Sequence, residues 1–135
     1  MKSLFLDTSY AIALAAANDA HHEVAVMLAE KLKASAAPLI TTRAVLIEIG
    51  NALSKPRYRQ AAVRLLNALE LDPQVEIIPL TEELYGRAFQ LYRERPDKKW
   101  SLTDCLSFVV MEERQMTQAL TADDDFRQAG FTALL

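Results

Sequence analysis

Apolar positions along the chain fall into two patterns, short unbroken runs and longer stretches with helical spacing. Short apolar runs bounded by polar or turn-forming residues are typical of buried strands, whereas apolar residues at i, i+3, i+4 and i+7 are typical of helices. The short runs predict strands at Ser3–Leu6, Leu39–Thr42, Val75–Leu80, Gln118–Thr121 and Phe131–Leu134. The helical stretches predict helices at Ser9–Ala17, from Asp19 or Ala20 to Ser35, at Arg43–Ser54, at Tyr58–Leu71 after a start at Pro56, from Thr81 to near Arg95, and at Ser101–Arg114.

Strands that alternate with helices in this way predict an α/β fold, a three-layer α/β/α sandwich around a mostly parallel sheet of four to five strands. A length of 135 residues predicts a single domain spanning residues 1–135. In such folds ligands bind outside the carboxyl ends of the strands. We therefore look for chemistry in the residues that follow each strand.

Composition narrows the possible classes of protein. Apolar residues make up 51% of the chain and charged residues 24%, which is typical of a globular protein and argues against disorder. The single cysteine excludes an intramolecular disulfide framework and a cysteine-rich zinc site. Asp7 interrupts the apolar N-terminal stretch and argues against a secretory signal, and no stretch has the length of a membrane span. We expect a cytoplasmic protein that does not enter a membrane.

Four acidic residues occur where the predicted fold could bring them together. Asp7 ends the first strand, Asp123 follows the fourth, and Asp104 lies in the first turn of an apolar helix. Glu48 borders the apolar arc of its helix, which a helical wheel assigns to Val45, Leu46, Ile49, Ala52 and Leu53. Four carboxylates at one sheet edge would repel each other unless a cation lay among them. Oxygen ligands without nearby His or Cys favour Mg²⁺ or Mn²⁺, and such clusters are typical of phosphodiester hydrolysis.

Each of these acids also has a purely structural interpretation. Asp7 could cap the following helix, Glu48 could pair with Lys55, and Asp104 could form a capping box with Ser101. Three consecutive aspartates in LTADDDF, residues 120–126, could simply form a solvated turn that caps the next helix. The metal hypothesis is favoured because it accounts for all of the acids together.

The four acids and their neighbours resemble the motifs of the PIN domain family. The shared features are a strand ending in Asp-Thr-Ser, a helix with Glu followed by an aliphatic residue, an S-L-T-D helix start and a T-x-D-x-x-F turn. The resemblance covers about residues 4–131 and implies a PIN-like fold and a metal-dependent endoribonuclease with Mg²⁺ or Mn²⁺. The small size resembles the VapC-type ribonuclease toxins of bacterial toxin–antitoxin pairs, which implies an RNA substrate, an antitoxin partner and a homodimer.

The resemblance also implies roles for individual residues. Asp7, Glu48, Asp104 and Asp123 become the catalytic and metal-binding acids. Asp125 matches a further acid of some members, whereas Asp124 has no counterpart and is expected on the solvated face. The residues that could hold these acids in place by hydrogen bonds are Thr8, Ser9, Asn51 and Thr121. Ordinary roles as turn or cap residues remain an alternative for each of them.

Two basic segments could bind the phosphates of RNA despite a net charge of −3. The first contains Lys55, Arg57, Arg59 and Arg64 with Tyr58, and the second contains Arg93, Arg95, Lys98, Lys99 and Trp100. Tyr58 could stack on a base. The alternative for both segments is a solvated charged face.

Three other classes of protein compete with this interpretation. A haloacid-dehalogenase-like phosphatase needs a second Asp where this chain has Ser9, and a receiver domain needs two adjacent acids after its first strand, which this chain lacks. A non-catalytic PIN-like module that only binds RNA or a partner remains possible. For assembly, the candidate surfaces are Ala11–Ala17 and the amphipathic helices before Leu71.

Overall fold

The computed structural model describes residues 2–135, which form five strands and seven helices. The strands are β1 (Leu4–Leu6), β2 (Leu39–Thr42), β3 (Val75–Ile78), β4 (Gln118–Leu120) and β5 (Thr132–Ala133). The helices are α1 (Thr8–Ala15), α2 (His22–Ser35), α3 (Arg43–Ala52), α4 (Pro56–Leu71), α5 (Glu82–Glu94), α6 (Leu102–Glu113) and α7 (Asp124–Gln128). All five predicted strands and all six predicted helices are confirmed, most of them with one or both ends shifted.

The strands form one sheet in the order β3-β2-β1-β4-β5, and every neighbouring pair is parallel. Helix α1 contacts α2, α3 and α4, whereas α6 contacts α5 and α7, and α3 also contacts α6. The predicted three-layer sandwich is therefore confirmed. The strand order reverses at β1, which lies between β2 and β4, so the crevice at the carboxyl ends of β1 and β4 is the expected ligand position.

Two details of the prediction are wrong, and one is incomplete. Helix α1 ends at Ala15, not Ala17, because Ala16 is extended and its N–H closes the last turn on the carbonyl of Ile12. Helix α3 ends at Ala52, which is exposed although the helical wheel placed it in the apolar arc. The aspartate-rich turn caps a further helix, as one of its interpretations expected, but the bounds of this short helix, α7, were not predicted.

Aromatic packing fixes the elements that carry the acids. The Phe126 ring of α7 packs edge-on against Phe108 of α6, with ring centroids 4.9 Å apart, and lies 6.3 Å from the ring of Phe5 in β1. All three rings are buried. This cluster therefore holds the start of α6, the start of α7 and the end of β1 in fixed positions relative to one another.

Within residues 2–135, no helix combines the length and the apolar character that a membrane crossing requires.

Candidate functional site

Three aspartates converge at the carboxyl edge of the sheet. Asp104 comes from the first turn of α6, Asp123 follows β4, and Asp125 lies in the first turn of α7. Each offers one carboxylate oxygen, and these oxygens all lie within 4.8 Å of one another. The group lies at the switch point of the strand order, where open parallel sheets bind their ligands.

Asp104 has a structural role and a place in the acidic group at once. Its Oδ2 accepts the Ser101 N–H at 3.1 Å while its own N–H donates to Ser101 Oγ at 3.0 Å, so the capping box is confirmed. Burial raises the pKa of Asp104 to about 7, and the nearby charges of Asp123, Asp7 and Asp125 act in the same direction against the lowering effect of the Ser101 N–H. Capping thus explains the position of Asp104 but not why other acidic side chains lie so close to it.

Asp123 and Asp125 are positioned by the start of α7. Asp123 caps this helix, since its Oδ1 accepts the N–H of Asp125 at 2.9 Å. Asp125 is 5% exposed, and its Oδ1 is buried without a hydrogen-bond donor; the nearest cation is Lys99, whose Nζ lies 3.8 Å away. Burial raises the pKa of Asp125, and the charge of Asp123 raises it further.

Asp124, between these two acids, points away from them. Its side chain is 69% exposed and pairs with Arg127 at 3.4 Å. The predicted position of Asp124 on the solvated face is confirmed. The three consecutive aspartates therefore divide into two that face the site and one that does not.

Asp7 is the most buried acid on the other side of the crevice, at 4% exposure. Its side chain does not cap α1; instead its Oδ2 accepts the Thr121 hydroxyl at 2.7 Å and the Ser9 hydroxyl at 3.1 Å. Burial raises the pKa of Asp7, the hydroxyl of Thr121 acts against this, and the charge of Glu48 adds a smaller increase. Asp7 thus occupies the N-cap position of α1, as the capping alternative expected, but its side chain makes no capping hydrogen bond.

Thr121 joins the two halves of the site. Its Oγ1 donates to Asp7, accepts the N–H of Asp123 at 3.0 Å and lies 3.0 Å from Ser9 Oγ. Ser9 Oγ in turn accepts the N–H of Ala122 at 2.9 Å. Two hydroxyls thus connect the end of β1 and the start of α1 to the loop after β4.

Glu48 is half-buried and accepts a hydrogen bond from the hydroxyl of Thr8, the residue next to Asp7. Within residues 2–135, no ion pair joins Glu48 to Lys55, so that alternative is wrong. Asn51, which we expected to support the site, is exposed. Glu48 is therefore connected to the site by its hydrogen bond with Thr8 and by the effect of its charge on Asp7.

The membership of the tight acidic group differs from the four acids predicted together. Asp104 and Asp123 belong to it, Asp125 joins them, and Asp7 and Glu48 lie beside it without belonging to it. Asp125 could have been given more weight from its spacing, because a residue two positions after an N-cap donates its N–H to the cap and is drawn to the same side. The contact with Lys99 had no signal in the sequence.

The residues present fit a hard divalent cation. Three carboxylates share a small, partly buried space, and one of their oxygens, Oδ1 of Asp125, lacks a hydrogen-bond donor. Oxygen ligands of this kind are those that Mg²⁺ and Mn²⁺ bind. Burial raises the pKa values of Asp104 and Asp125, and repulsion between the carboxylates adds to this effect. A cation at this position would compensate that repulsion.

The two basic segments differ in how much of their charge is free. In the first, Arg59 donates twice to the carbonyl of Ser54, at 3.0 and 2.7 Å, and so closes the end of α3. In the second, Arg95 forms a two-pronged ion pair with Asp97, at 3.0 and 2.9 Å, and stacks over Trp100. The other basic residues of the first segment, Lys55, Arg57 and Arg64, are exposed. In the second segment, Arg93 and Lys99 are exposed and Lys98 is half-buried.

Comparisons with known proteins agree with this geometry. The family model described as PIN domain matches residues 4–132. The chain is 33% identical over 129 residues to the 23S rRNA-specific endonuclease VapC20 of Mycobacterium tuberculosis, in the strains CDC 1551 / Oshkosh and ATCC 25618 / H37Rv, covering 95% of both proteins. It is also similar to the crystal structure of M. tuberculosis VapC20, described as a sarcin-ricin loop cleaving toxin, with a TM-score of 0.83, 32% identity and 96% coverage of each chain. The phosphatase and receiver alternatives are thereby set aside, and the chain belongs to the PIN domain family.

Proposed function

We propose that this protein is a metal-dependent endoribonuclease that hydrolyses RNA phosphodiester bonds, and that it is the toxin of a toxin–antitoxin pair. The observation that carries the proposal is the convergence of Asp104, Asp123 and Asp125 within 4.8 Å at the switch point of a PIN-domain sheet. The likeness to an endonuclease over 95% of the chain supports it.

We assign the cation, Mg²⁺ or Mn²⁺, to Asp104, Asp123 and Asp125, with Asp7 facing them across the crevice. A divalent cation at such a site supplies positive charge at the phosphate and lowers the pKa of water toward neutrality. The protein prepares the site by partly burying the carboxylates. Backbone N–H groups hold Asp104 and Asp123 in place by hydrogen bonds, and Asp125 is buried beside them. Asp104 and Asp123 each use one oxygen as a helix cap, which leaves the second oxygen available.

Asp7 and Glu48 complete the proposed catalytic set. The two hydroxyls both donate to Asp7 Oδ2 and hold this carboxylate in one orientation, and neither of them occupies its other oxygen. Glu48 fixes the Thr8 side chain and thereby the start of α1. We expect Glu48 to act on the reaction both through its charge and through this positioning.

The relatives suggest which RNA to test first. They are 33% identical to this chain and are described as specific for 23S rRNA, and the solved structure is described as cleaving the sarcin-ricin loop. We propose ribosomal RNA as the substrate class. The protein would then act in the cytoplasm, where the ribosomes are.

We also propose an antitoxin protein as partner and a homodimer as the assembled form, as in other small toxins of this type. Ala11, Ala13 and Ala16 are buried within the protomer, so the candidate surface Ala11–Ala17 is mostly used by the core. The amphipathic helix α4 retains exposed apolar residues, among them Val63 at 52% and Leu71 at 83%. We therefore favour α4 over α1 as the surface for assembly.

The three consecutive aspartates provide a matched set of variants. Purified ribosomes and isolated 23S rRNA are incubated with the protein and Mg²⁺ or Mn²⁺, and new 5′ ends are mapped by primer extension. We expect Asp123→Asn and Asp125→Asn to lower the cleavage rate by at least about 100-fold, a loss typical of removing one group that stabilises the transition state. Asp124→Asn should retain the wild-type rate, because its side chain is exposed and turned away.

The same assay separates the enzyme from a non-catalytic module. Cleavage that requires the divalent cation and disappears with EDTA supports the proposal. Binding of RNA without any cleavage, in wild type and Asp124→Asn alike, would indicate the non-catalytic module. Equal cleavage by all three aspartate variants would mean that the acidic group is the wrong site.

A further inference from the structure

Helix α5 exposes a row of three aromatic rings, Tyr85, Phe89 and Tyr92. Their exposed fractions are 47%, 38% and 46%. The rings of Tyr85 and Phe89 are nearly parallel, at 5°, with centroids 6.2 Å apart, and those of Phe89 and Tyr92 follow at 20° and 6.5 Å. The core-facing side of the same helix is provided by Leu84 and Ala88. We call the three rings the aromatic row.

The aromatic row opens onto a hollow of about 460 Å³. Phe89 and Tyr92 line one side of it, and Lys98, Lys99 and the buried Trp100 line another. We call it the basic hollow. It therefore combines flat apolar surfaces with ammonium groups, a combination that the packing of the protein itself does not require.

Positive charge predominates around the basic hollow. Residues 93–99 contain four basic and two acidic side chains, whereas the whole protein has a net charge of −3. The guanidinium of Arg93 lies 5.3 Å from the centroid of Phe89. Asp97, one of the two acids, is already paired with Arg95. The net charge of this surface is thus positive, although the whole protein is negatively charged.

The basic hollow borders the acidic site. Lys99 lines the hollow, and its Nζ lies 3.8 Å from Oδ1 of Asp125. A chain of phosphates bound at the hollow would therefore continue toward the acids without leaving the surface. The connection runs through a single side chain, which is 79% exposed.

We propose that the aromatic row and the basic hollow bind unpaired nucleotides of the RNA beside the cleaved bond, with bases stacked on the rings and phosphates on Lys98, Lys99 and Arg93. Protein rings bind splayed-out bases in single-stranded RNA and loops, whereas the bases of a duplex are stacked on each other. This inference rests on the proposed function and names the conformation of its substrate.

A second copy of this chain is the main competing occupant of the surface. A two-fold interface would bring the same patch from both copies together. Arg93, Lys98 and Lys99 of both copies would then lie in one interface, and like charges concentrated in an interface weaken it. Phosphates meet no such repulsion, and the charge of the surface therefore favours RNA.

Binding is measured by fluorescence anisotropy with a labelled, unpaired RNA of about 12 nucleotides, a length within the range that single-strand binding sites cover. EDTA prevents cleavage. We expect Phe89→Ala and Tyr92→Ala each to weaken binding by roughly 5- to 100-fold, since each lost stacking contact contributes that much. Tyr92→Phe keeps the ring and should bind as wild type. Leu80→Ala, an apolar residue 44% exposed outside the surface, is the matched control and should change affinity less than twofold.

Salt and strand state add two independent readouts. Lys98→Ala should lower the slope of log affinity against log salt by about 0.7, the value for one phosphate contact on a single strand. The same RNA annealed to its complement should bind more weakly than the single strand. Thermal melting of each variant verifies the fold, which these exposed substitutions should leave intact.

Three results would overturn the inference. The first is that both alanine variants bind RNA with wild-type affinity, and the second is that duplex and single strand bind equally well. The third is that light scattering gives a lower molecular mass for Phe89→Ala or Tyr92→Ala than for wild type, which would make this face a subunit interface. The proposed function fails separately: wild type that never cleaves RNA but binds it through Phe89 and Tyr92 refutes the ribonuclease and leaves the binding surface. Cleavage with unchanged binding in the alanine variants does the reverse.

Discussion

Replacing Thr121 by valine should cost far more stability than its small chemical change suggests. Valine has nearly the shape of threonine, and the residue is fully buried, so packing is retained. The lost hydroxyl, however, donates to Asp7 Oδ2 at 2.7 Å and accepts the N–H of Asp123 at 3.0 Å. The substitution therefore removes one donor from a buried carboxylate and one acceptor from a backbone amide.

The magnitude follows from these two bonds. A hydrogen bond to a charged group contributes about 1.5–3 kcal/mol, and a buried group left without a partner costs about 1–3 kcal/mol. Because Ser9 still donates to Asp7 at 3.1 Å and Asp123 is only half-buried, we expect a total of about 2–4 kcal/mol. For a chain of this length that corresponds to a fall in melting temperature of roughly 6–12 °C.

The pH dependence tests the cause of this loss. The hydroxyl of Thr121 lowers the pKa of Asp7 against the raising effect of burial. The valine variant should therefore bind a proton at Asp7 more tightly, and its deficit relative to wild type should be larger at pH 8 than at pH 5.5. Urea denaturation of metal-free protein at both values measures the difference in the free energy of unfolding.

Thr117→Val is the matched control, because Thr117 is exposed and should change stability by less than about 0.5 kcal/mol. A loss of that small size in Thr121→Val would refute the reasoning. A larger loss that is the same at both pH values would assign the effect to packing and not to Asp7.

Three further predictions concern the acids themselves. Asp104→Asn keeps an oxygen that can accept the Ser101 N–H and should be as stable as wild type or more stable in calorimetry, whereas Asp104→Ala also loses the cap and should be less stable than the asparagine variant by about 1 kcal/mol. In metal-free protein the pKa of Asp104 is raised to about 7, whereas the pKa of an Asp in the unfolded chain is about 4. The stability that this difference contributes is complete below about pH 4 and is lost as the pH rises through about 7. The melting temperature should therefore fall from pH 5 to pH 8, and it should fall less in Asp104→Asn. Because Mn²⁺ must displace that proton, it should raise the melting temperature more at pH 8 than at pH 5.5 and very little in Asp123→Asn, and an equal rise in this variant would locate the metal elsewhere.

The sequence predicted the sheet well because its strands are short apolar runs between clear turn signals. β2 was predicted to the residue, and the capping box of α6 was predicted with its partners. Parallel strands then place Asp7 and Asp123 at one edge whatever their order, so this part of the site followed from topology alone. Local chemistry and the period of the pattern were sufficient for these features.

Other features depend on packing that a pattern cannot specify. In α5 both Leu84–Ala88 and Tyr85–Phe89 have helical spacing, and only the tertiary structure decides which pair faces the core. The wheel of α3 likewise placed Ala52 inside, although the helix ends there and leaves it exposed. Exposed aromatic surfaces are therefore the features that the sequence analysis was least able to find.

The acidic site also shows why structural and catalytic interpretations of one residue need not exclude each other. A carboxylate has two oxygens, and in Asp104 and Asp123 one of them caps a helix, which fixes the side chain and directs it into the crevice. The fixed geometry brings like charges together in a partly buried place, and burial raises the pKa values of Asp104 and Asp125 with the repulsion as a further contribution. A helix cap would be equally well served by a neutral asparagine or serine. Helix capping therefore does not explain why these side chains are charged. A bound cation does, because negative carboxylates close together attract it.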